Sequence, residues 1–270
     1  MDDGQRHVRR MSRAYSNETW ELYEQLDRSL DPDGPDSLLD LAAEFLDPGA
    51  RILDAGCRDA AYLIRLVRAH NGSGVGVDPV AVHVEMARAA VAGADLTDRI
   101  EIVHGGVESL RTPDAEFDLV WCRDVLEQVV PLEAFMRQCA RVLKPGHRMI
   151  AYTNLATDRL EQREDAMLTR HFGHVPRNLD EGNLGAAFGA AGLVVERRDP
   201  VGTRWREYAE ERTQPVSQSL LRLARLRRLR DSVVATRGQD VYDHVEANLH
   251  WLLFQFLGKI EPVIYVLRRP

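Results

Sequence analysis

The stretch RILDAGCRDA, Arg51 to Ala60, holds the residues best suited to bind a ligand: an acid, Asp54, then Gly56, then a turn that opens a helix. A glycine placed after a parallel strand lets the backbone approach a ligand closely. The free N–H groups of the following helix then face that ligand, so a nucleotide-like cofactor suits the turn. Downstream, GSGVGVDPVA reads as a second strand ending in Asp78, with Pro79 directly after it. An acid there can accept both hydroxyl hydrogens of a ribose.

The elements that position these residues follow one another regularly. A third strand, Arg99 to Val103, leads into His104, Gly105 and Gly106. A fourth, FDLVWC, ends at Cys122 and is followed by RDVLEQV. ARVLKPGHRMIAYT reads as a helix end, a glycine turn and a fifth strand, and GAAFGAAGLVVERRDPVG as helix, glycine turn and sixth strand. Alternating β and α units predict a parallel, doubly wound α/β sheet. Ahead of it, residues 1–46 carry two helices, NETWELYEQLDRSL and DSLLDLAAEFL, with Asn17 and Asp36 as N-caps, expected to cover the mouth of the sheet as a lid.

Five of these segments, in the order DAGC, VDP, GGVESL, FDLVWCRDVLE and VLKPG between Pro48 and Thr153, resemble the class I S-adenosylmethionine (SAM)-dependent methyltransferases of small-molecule type. The resemblance implies a Rossmann-like sheet of seven strands whose last runs antiparallel, and EPVIYVLRR, Glu261 to Arg269, is its candidate. The core is then residues 47–200 and 259–270, with 201–258 a helical substrate cap inserted between strands six and seven. The resemblance further implies SAM as cofactor and S-adenosylhomocysteine (SAH) as product. Asp54, Gly56, Cys57 and Arg58 would lie against the methionine part, Asp78 and Pro79 at the ribose, Gly106 and Val107 along the adenine, and Arg123 at the amino-acid end. Tyr15 and Trp20 are aromatic candidates to close over the cofactor from the lid, where a ring face favours a sulfonium charge, with ordinary packing the other role open to Trp20. Three positions depart from the family: Arg58 and Ala60 stand where it usually has glycines, Gly106 stands where an adenine-binding acid is common, with Glu108 as its substitute, and Gln128 replaces a familiar histidine.

The reaction implied is in-line transfer of a methyl group from a sulfonium to oxygen, nitrogen or carbon of a small metabolite. A base is needed only where the acceptor must lose a proton. Glu207, in RWREYAEE where the cap begins, and His171, in TRHFGHVPRN with His174 nearby, are the candidates. In the cap, the leucines at 220, 223, 226 and 229 share a three-residue spacing that leaves Arg222, Arg225 and Arg228 outward, as a solvated face or a site for an anion. The helix DVYDHVEANLHWLLFQFLG is cap core, or packs on a second subunit of a homo-oligomer, with Trp251, Phe254 and Phe256 as alternative pocket residues. Two other readings share these motifs. A nicotinamide-dependent oxidoreductase also has an acid at the end of strand two, but GCRDA lacks GxGxxG. A non-catalytic SAM-binding protein would explain Arg58 and Gly106 as decay.

Composition agrees with an enzyme of this kind. The chain has 270 residues, 44% of them hydrophobic, and a formal net charge of −7, which argues against nucleic acid as a partner. Its three cysteines show no metal-ligand spacing, so no structural metal is expected and reduced thiols fit a cytoplasmic protein. MDDGQRHVRRMSRAY has no signal-peptide apolar stretch and no window approaches a membrane span, so a cytoplasmic location without a membrane partner is expected.

Overall fold

A computed structural model describes residues 3–270, except the side chain of Ser109. In chain order the elements are α1 (Asp3–Ala14), α2 (Asn17–Leu26), α3 (Ser37–Ala43), β1 (Arg51–Ala55), α4 (Ala61–Ala69), β2 (Ser73–Asp78), α5 (Ala81–Gly93), β3 (Ile100–His104), β4 (Phe117–Arg123), α6 (Leu132–Val142), β5 (Leu143–Ala156), α7 (Gln162–Phe172), α8 (Glu181–Ala190), β6 (Val194–Pro200), α9 (Arg204–Thr213), α10 (Pro215–Arg228), α11 (Arg230–Arg237), α12 (Gln239–Phe256) and β7 (Ile260–Arg268). Single 3₁₀ turns follow β3, β4 and α7. The seven strands form one sheet in the order β3-β2-β1-β4-β5-β7-β6. β1 to β5 pair in parallel, and β7 runs antiparallel between β5 and β6.

The period-2 pattern of the strands sorts side chains to the two faces. On β4, Val120 and Cys122 enter one core with α6 and α8, while Leu119 and Trp121 enter the other with α3, α4 and α5. β6 is one of the two sheet edges: Glu196, Arg197 and Arg198 are exposed there, a charged rim that discourages edge pairing. The glycine turn of VLKPG lies inside the span of β5, which begins at Leu143: Gly146 is left-handed at φ 79°, and the register shifts between the pairs Phe117/Leu143 and Leu119/Arg148.

The N-terminal helices divide differently from the sequence expectation. Ser16, not Asn17, caps α2, its hydroxyl accepting from the Thr19 N–H at 3.3 Å. Asp36 sits at the N-cap of α3 without capping it, because its carboxylate is held by both ends of the Arg65 guanidinium at 2.7 and 2.9 Å. Helix α3 buries Leu38, Leu41 and Ala42 in the core, so it belongs to the sheet domain. Helices α1 and α2 bury no residue, and Tyr15, Trp20, Leu22, Tyr23 and Leu26 stay exposed.

Helices α9 to α12 form the layer between β6 and β7. Helix α10 buries Val216, Ser219 and Leu223, while Leu220 and Leu229 are exposed. A strict three-residue spacing drifts around a helix of 3.6 residues per turn, so the leucine row leaves the packed face within two steps. Helix α12 packs Leu253 against α10 and Phe254 against Leu168 of α7. Trp205 of α9 stacks on Tyr152 of β5 at 4.8 Å and 8°, joining this layer to the sheet.

Candidate functional site

A cleft of about 600 Å³ opens at the carboxyl ends of β1, β2 and β4. It takes in Asp54, Gly56, Cys57, Arg58, Asp78, Pro79, Gly106, Val107 and Arg123, nine of the ten positions expected at a cofactor. Tyr15 is the exception. It lies in the turn between α1 and α2, 65% exposed and away from the cleft, because neither helix packs on the sheet.

Asp78 is the knot of the site. Its buried carboxylate accepts from the Arg58 N–H at 2.9 Å and the Val80 N–H at 2.9 Å, and meets His83 Nδ1 at 3.1 Å. One side chain therefore holds the loop after β1 to the loop after β2. Gly56 is needed for two reasons: its φ of +91° is left-handed, and a Cβ there would lie 2.3 Å from Val125 Cγ2. Arg58 and Ala60, at φ 48° and 57°, keep the left-handed backbone without being glycine. Each stores on the order of 1 kcal/mol of strain in the loop.

Burial sets the chemistry of the remaining groups. The Asp54 carboxyl, 3% exposed, is pushed up to about 8 by burial, with the charges of Asp78 and Asp59 adding to it. The Cys57 thiol is also pushed far up, chiefly by burial, and Cys122 and Cys139 are buried free thiols, so none of the three is a poised nucleophile. Arg123 is clamped between rings: its guanidinium carbon lies 4.4 Å from the Tyr62 centroid and 5.6 Å from that of Tyr152, and Tyr62 stacks on Trp121. Cation–π contact fixes where that charge points into the cleft.

Neither candidate base reaches the cleft. Glu207 turns back along α9 and accepts from the Thr203 hydroxyl. His171 lies on a separate shallow hollow between α7 and α12, with Arg170, Asp240, Asp243 and His244. His174 is buried against Trp251 and Phe172, and burial pulls its ring down to about 4, so it is neutral at physiological pH. Trp251 and Phe254 are spent on that same packing between α7 and α12. Among the described residues no three His, Cys, Asp or Glu side chains are placed to hold a metal ion, and no helix is long and apolar enough to cross a membrane.

Sequence reasoning passed over a polar line beneath the cleft. Asp124, next to Arg123, lines the cleft and carries a left-handed φ of 55°. Three residues on, Glu127 is 2% exposed and accepts from the Asn154 N–H at 2.7 Å and from Asn154 Nδ2 at 2.6 Å. Asn154 Oδ1 accepts from Gln255 Nε2 of α12 at 2.7 Å, and Gln255 Oε1 accepts from Arg206 of α9. Asp124 and Glu127 stand inside the quoted FDLVWCRDVLE segment, directly after a strand end where ligands are met. Asn154 and Gln255 carried no signal, because only the fold brings them there.

Residues 53–151 match the methyltransferase domain family. A 104-residue stretch is 35% identical to the 27-O-demethylrifamycin SV methyltransferase of Amycolatopsis mediterranei, covering 38% of each chain. The chain thus spans about two fifths of the length of that curated relative. Among solved structures, a putative sarcosine dimethylglycine methyltransferase from Galdieria sulphuraria superposes with a TM-score of 0.65 at 19% identity over 87% of this chain and 83% of the other. The [4+2]-cyclase SpnF does so with 0.66 at 22%, over 87% and 81%. Likenesses this distant establish the fold, and the second belongs to a protein named for a different reaction.

Proposed function

We propose, from the premise that residues 53–151 are a methyltransferase domain, that this chain binds SAM in the cleft and transfers its methyl group to oxygen, nitrogen or carbon of a small molecule. The observation that carries the reading is the junction at Asp78, where one carboxylate ties together the two loops that border the cleft and lies on its wall. In this reading Asp78 receives the ribose hydroxyls, and Gly106 and Val107 flank the adenine. Asp54, Arg58 and the clamped Arg123 meet the amino-acid end, with Gly56 giving the backbone room. SAM supplies an electrophilic methyl carbon; the chain's own residues align it and keep water away. Such alignment is worth ~7–11 kcal/mol of a barrier.

A small acceptor is supported by the layer α9 to α12, whose Trp205 stacks on Tyr152 of β5, the same ring that meets Arg123 of the cleft wall. We assign residues 201–258 as a substrate cap and α1 and α2 as a lid. The segment that joins the lid to α3 is already anchored on the cap: Ser29 donates to Glu211 at 2.9 Å, and Asp33 pairs with Arg204 at 3.0 Å. The exposed Tyr15, Trp20 and Tyr23 are then the surface that the lid would bury on closing. We place the protein in the cytoplasm, where three buried reduced thiols are at home.

Incubation of the protein with methyl-labelled SAM and a cell extract tests the assignment. Label in the low-molecular-mass fraction is the expected result; label confined to protein or RNA would overturn the small acceptor.

A further inference from the structure

Asp124 lines the cofactor cleft and is joined through Asn154 to Gln255 of α12. Its side chain keeps 46% of its surface open, on a wall that also presents Arg123 and Tyr62. Its backbone is held in the left-handed region, where a residue other than glycine is strained, and is fixed there by the Asp124 N–H donating to the Tyr152 carbonyl at 3.0 Å. The carboxylate has a partner on each flank: Arg123 Nε at 3.5 Å from Oδ2, and Asn154 Nδ2 at 3.3 Å from Oδ1. The same Asn154 amide also donates to Glu127, so one amide group spans two carboxylates. Glu127 has no route to the cleft of its own. Its Oε2 is buried without a hydrogen-bond partner, and behind it Gln255 and Arg206 continue the line into α12 and α9.

A ligand whose ribose lies at Asp78 and whose adenine lies along Gly106 and Val107 extends toward the far end of the cleft, where Arg123 and Asp124 stand. We propose that Asp124 is the acid facing the transferred methyl group and takes the proton of a hydroxyl or amine acceptor, and that Asn154 and Glu127 are positioning residues that aim it. This rests on the SAM-dependent reading above. In the step, an acceptor lone pair forms the new bond to the methyl carbon while the carbon–sulfur bond breaks. The bonding pair goes to sulfur, leaving a neutral thioether, and the acceptor proton passes to an Asp124 oxygen.

The charges around Asp124 agree with that task. Desolvation pushes its pKa up, which strengthens it as a base, while Arg123, the Asn154 amide, Arg206 and Arg58 oppose the rise. Glu127 is pushed up to about 7 by burial first and by the charge of Asp124 second, so the inner carboxyl holds its proton more tightly than usual when the outer one is ionised.

Sinefungin tests this without an acceptor, because a C–NH₃⁺ group replaces the S⁺–CH₃ of SAM and points where the methyl would. Affinities of sinefungin and SAH are measured by calorimetry on the full chain, and their ratio is compared among variants. Wild type is expected to prefer sinefungin, with the preference declining on acidification as Asp124 is protonated. Asp124→Asn should reduce the ratio about tenfold or more, the equivalent of ~1.4 kcal/mol, and abolish its pH dependence. Asn154→Leu and the near-isosteric Glu127→Gln should reduce the ratio partially and shift its pH profile, which loss of packing alone would not do. An unchanged ratio in Asp124→Asn overturns the proposal. Equal losses of both ligands in both positioning variants overturn the role of Asn154 and Glu127. Wild type binding neither ligand means that the cofactor reading itself has failed.

Discussion

Replacing Glu127 by glutamine tests the buried polar line through stability alone. The carboxyl is 2% exposed and its pKa is raised from 4.5 to about 7, chiefly by burial. Below the unfolded value both states hold the proton and there is no penalty. As pH rises past 4.5 the unfolded chain ionises while the native carboxyl stays neutral, so native stability falls; above the native value the loss levels off. With ~1.36 kcal/mol per pKa unit, the penalty grows by roughly 2–3 kcal/mol between pH 5 and pH 8. Glutamine keeps the Oε1 acceptor for Asn154 and cannot ionise. Any fixed cost of placing its NH₂ at the unpartnered Oε2 position is the same at both pH values. Urea unfolding of wild type and Glu127→Gln at the two pH values should therefore show the variant gaining roughly 2–3 kcal/mol on wild type as pH rises. Parallel behaviour of the two proteins would refute the burial of an ionisable Glu127.

Three further outcomes follow from the cleft. Asp78→Ala removes the acceptor for two backbone N–H groups as well as the proposed ribose contact. Calorimetry should show SAH binding weakened by at least ~1.5–3 kcal/mol, and urea unfolding a loss of comparable size, whereas unchanged binding would contradict the ribose assignment. Gly56→Ala drives a Cβ into Val125 at a left-handed φ and should cost roughly 2–4 kcal/mol of stability, of which Val125→Ala in the double variant restores the overpacking share of ~1–3 kcal/mol. Because Asp54 is raised to about 8, it is largely neutral at pH 7 in the free protein. If it pairs with the cofactor ammonium, SAH binding should release a proton and tighten as pH rises from 6 to 8, seen as buffer-dependent binding heats, and buffer-independent heats would remove Asp54 from that role.

How much of this was legible in the sequence depended on how local the cause was. The alternation of strands and helices, the antiparallel last strand and the cleft residues from Asp54 to Arg123 are fixed by short motifs. These act through their own backbone: Gly56 at its turn, Asp78 at its strand end. The turn holds with Arg58 and Ala60 in place of glycine because both residues take up the left-handed conformation there. Where the cause was tertiary, the reading failed or was silent. Glu207 was chosen for its place in the chain, and one hydroxyl, that of Thr203, turns it away. Asp36 could not be known to spend its carboxylate on Arg65. Asn154 and Gln255 look like ordinary strand and helix residues until β5 and α12 bring them onto Glu127. The leucine row of α10 does not form one buried stripe because spacing by three follows a helix face for only two steps.

Parallel calorimetric titration of the purified protein with SAM, SAH and NAD tests the central claim most directly. Saturable binding of both sulfur compounds with NAD silent is the predicted result. NAD binding alone, or silence from all three, would contradict it.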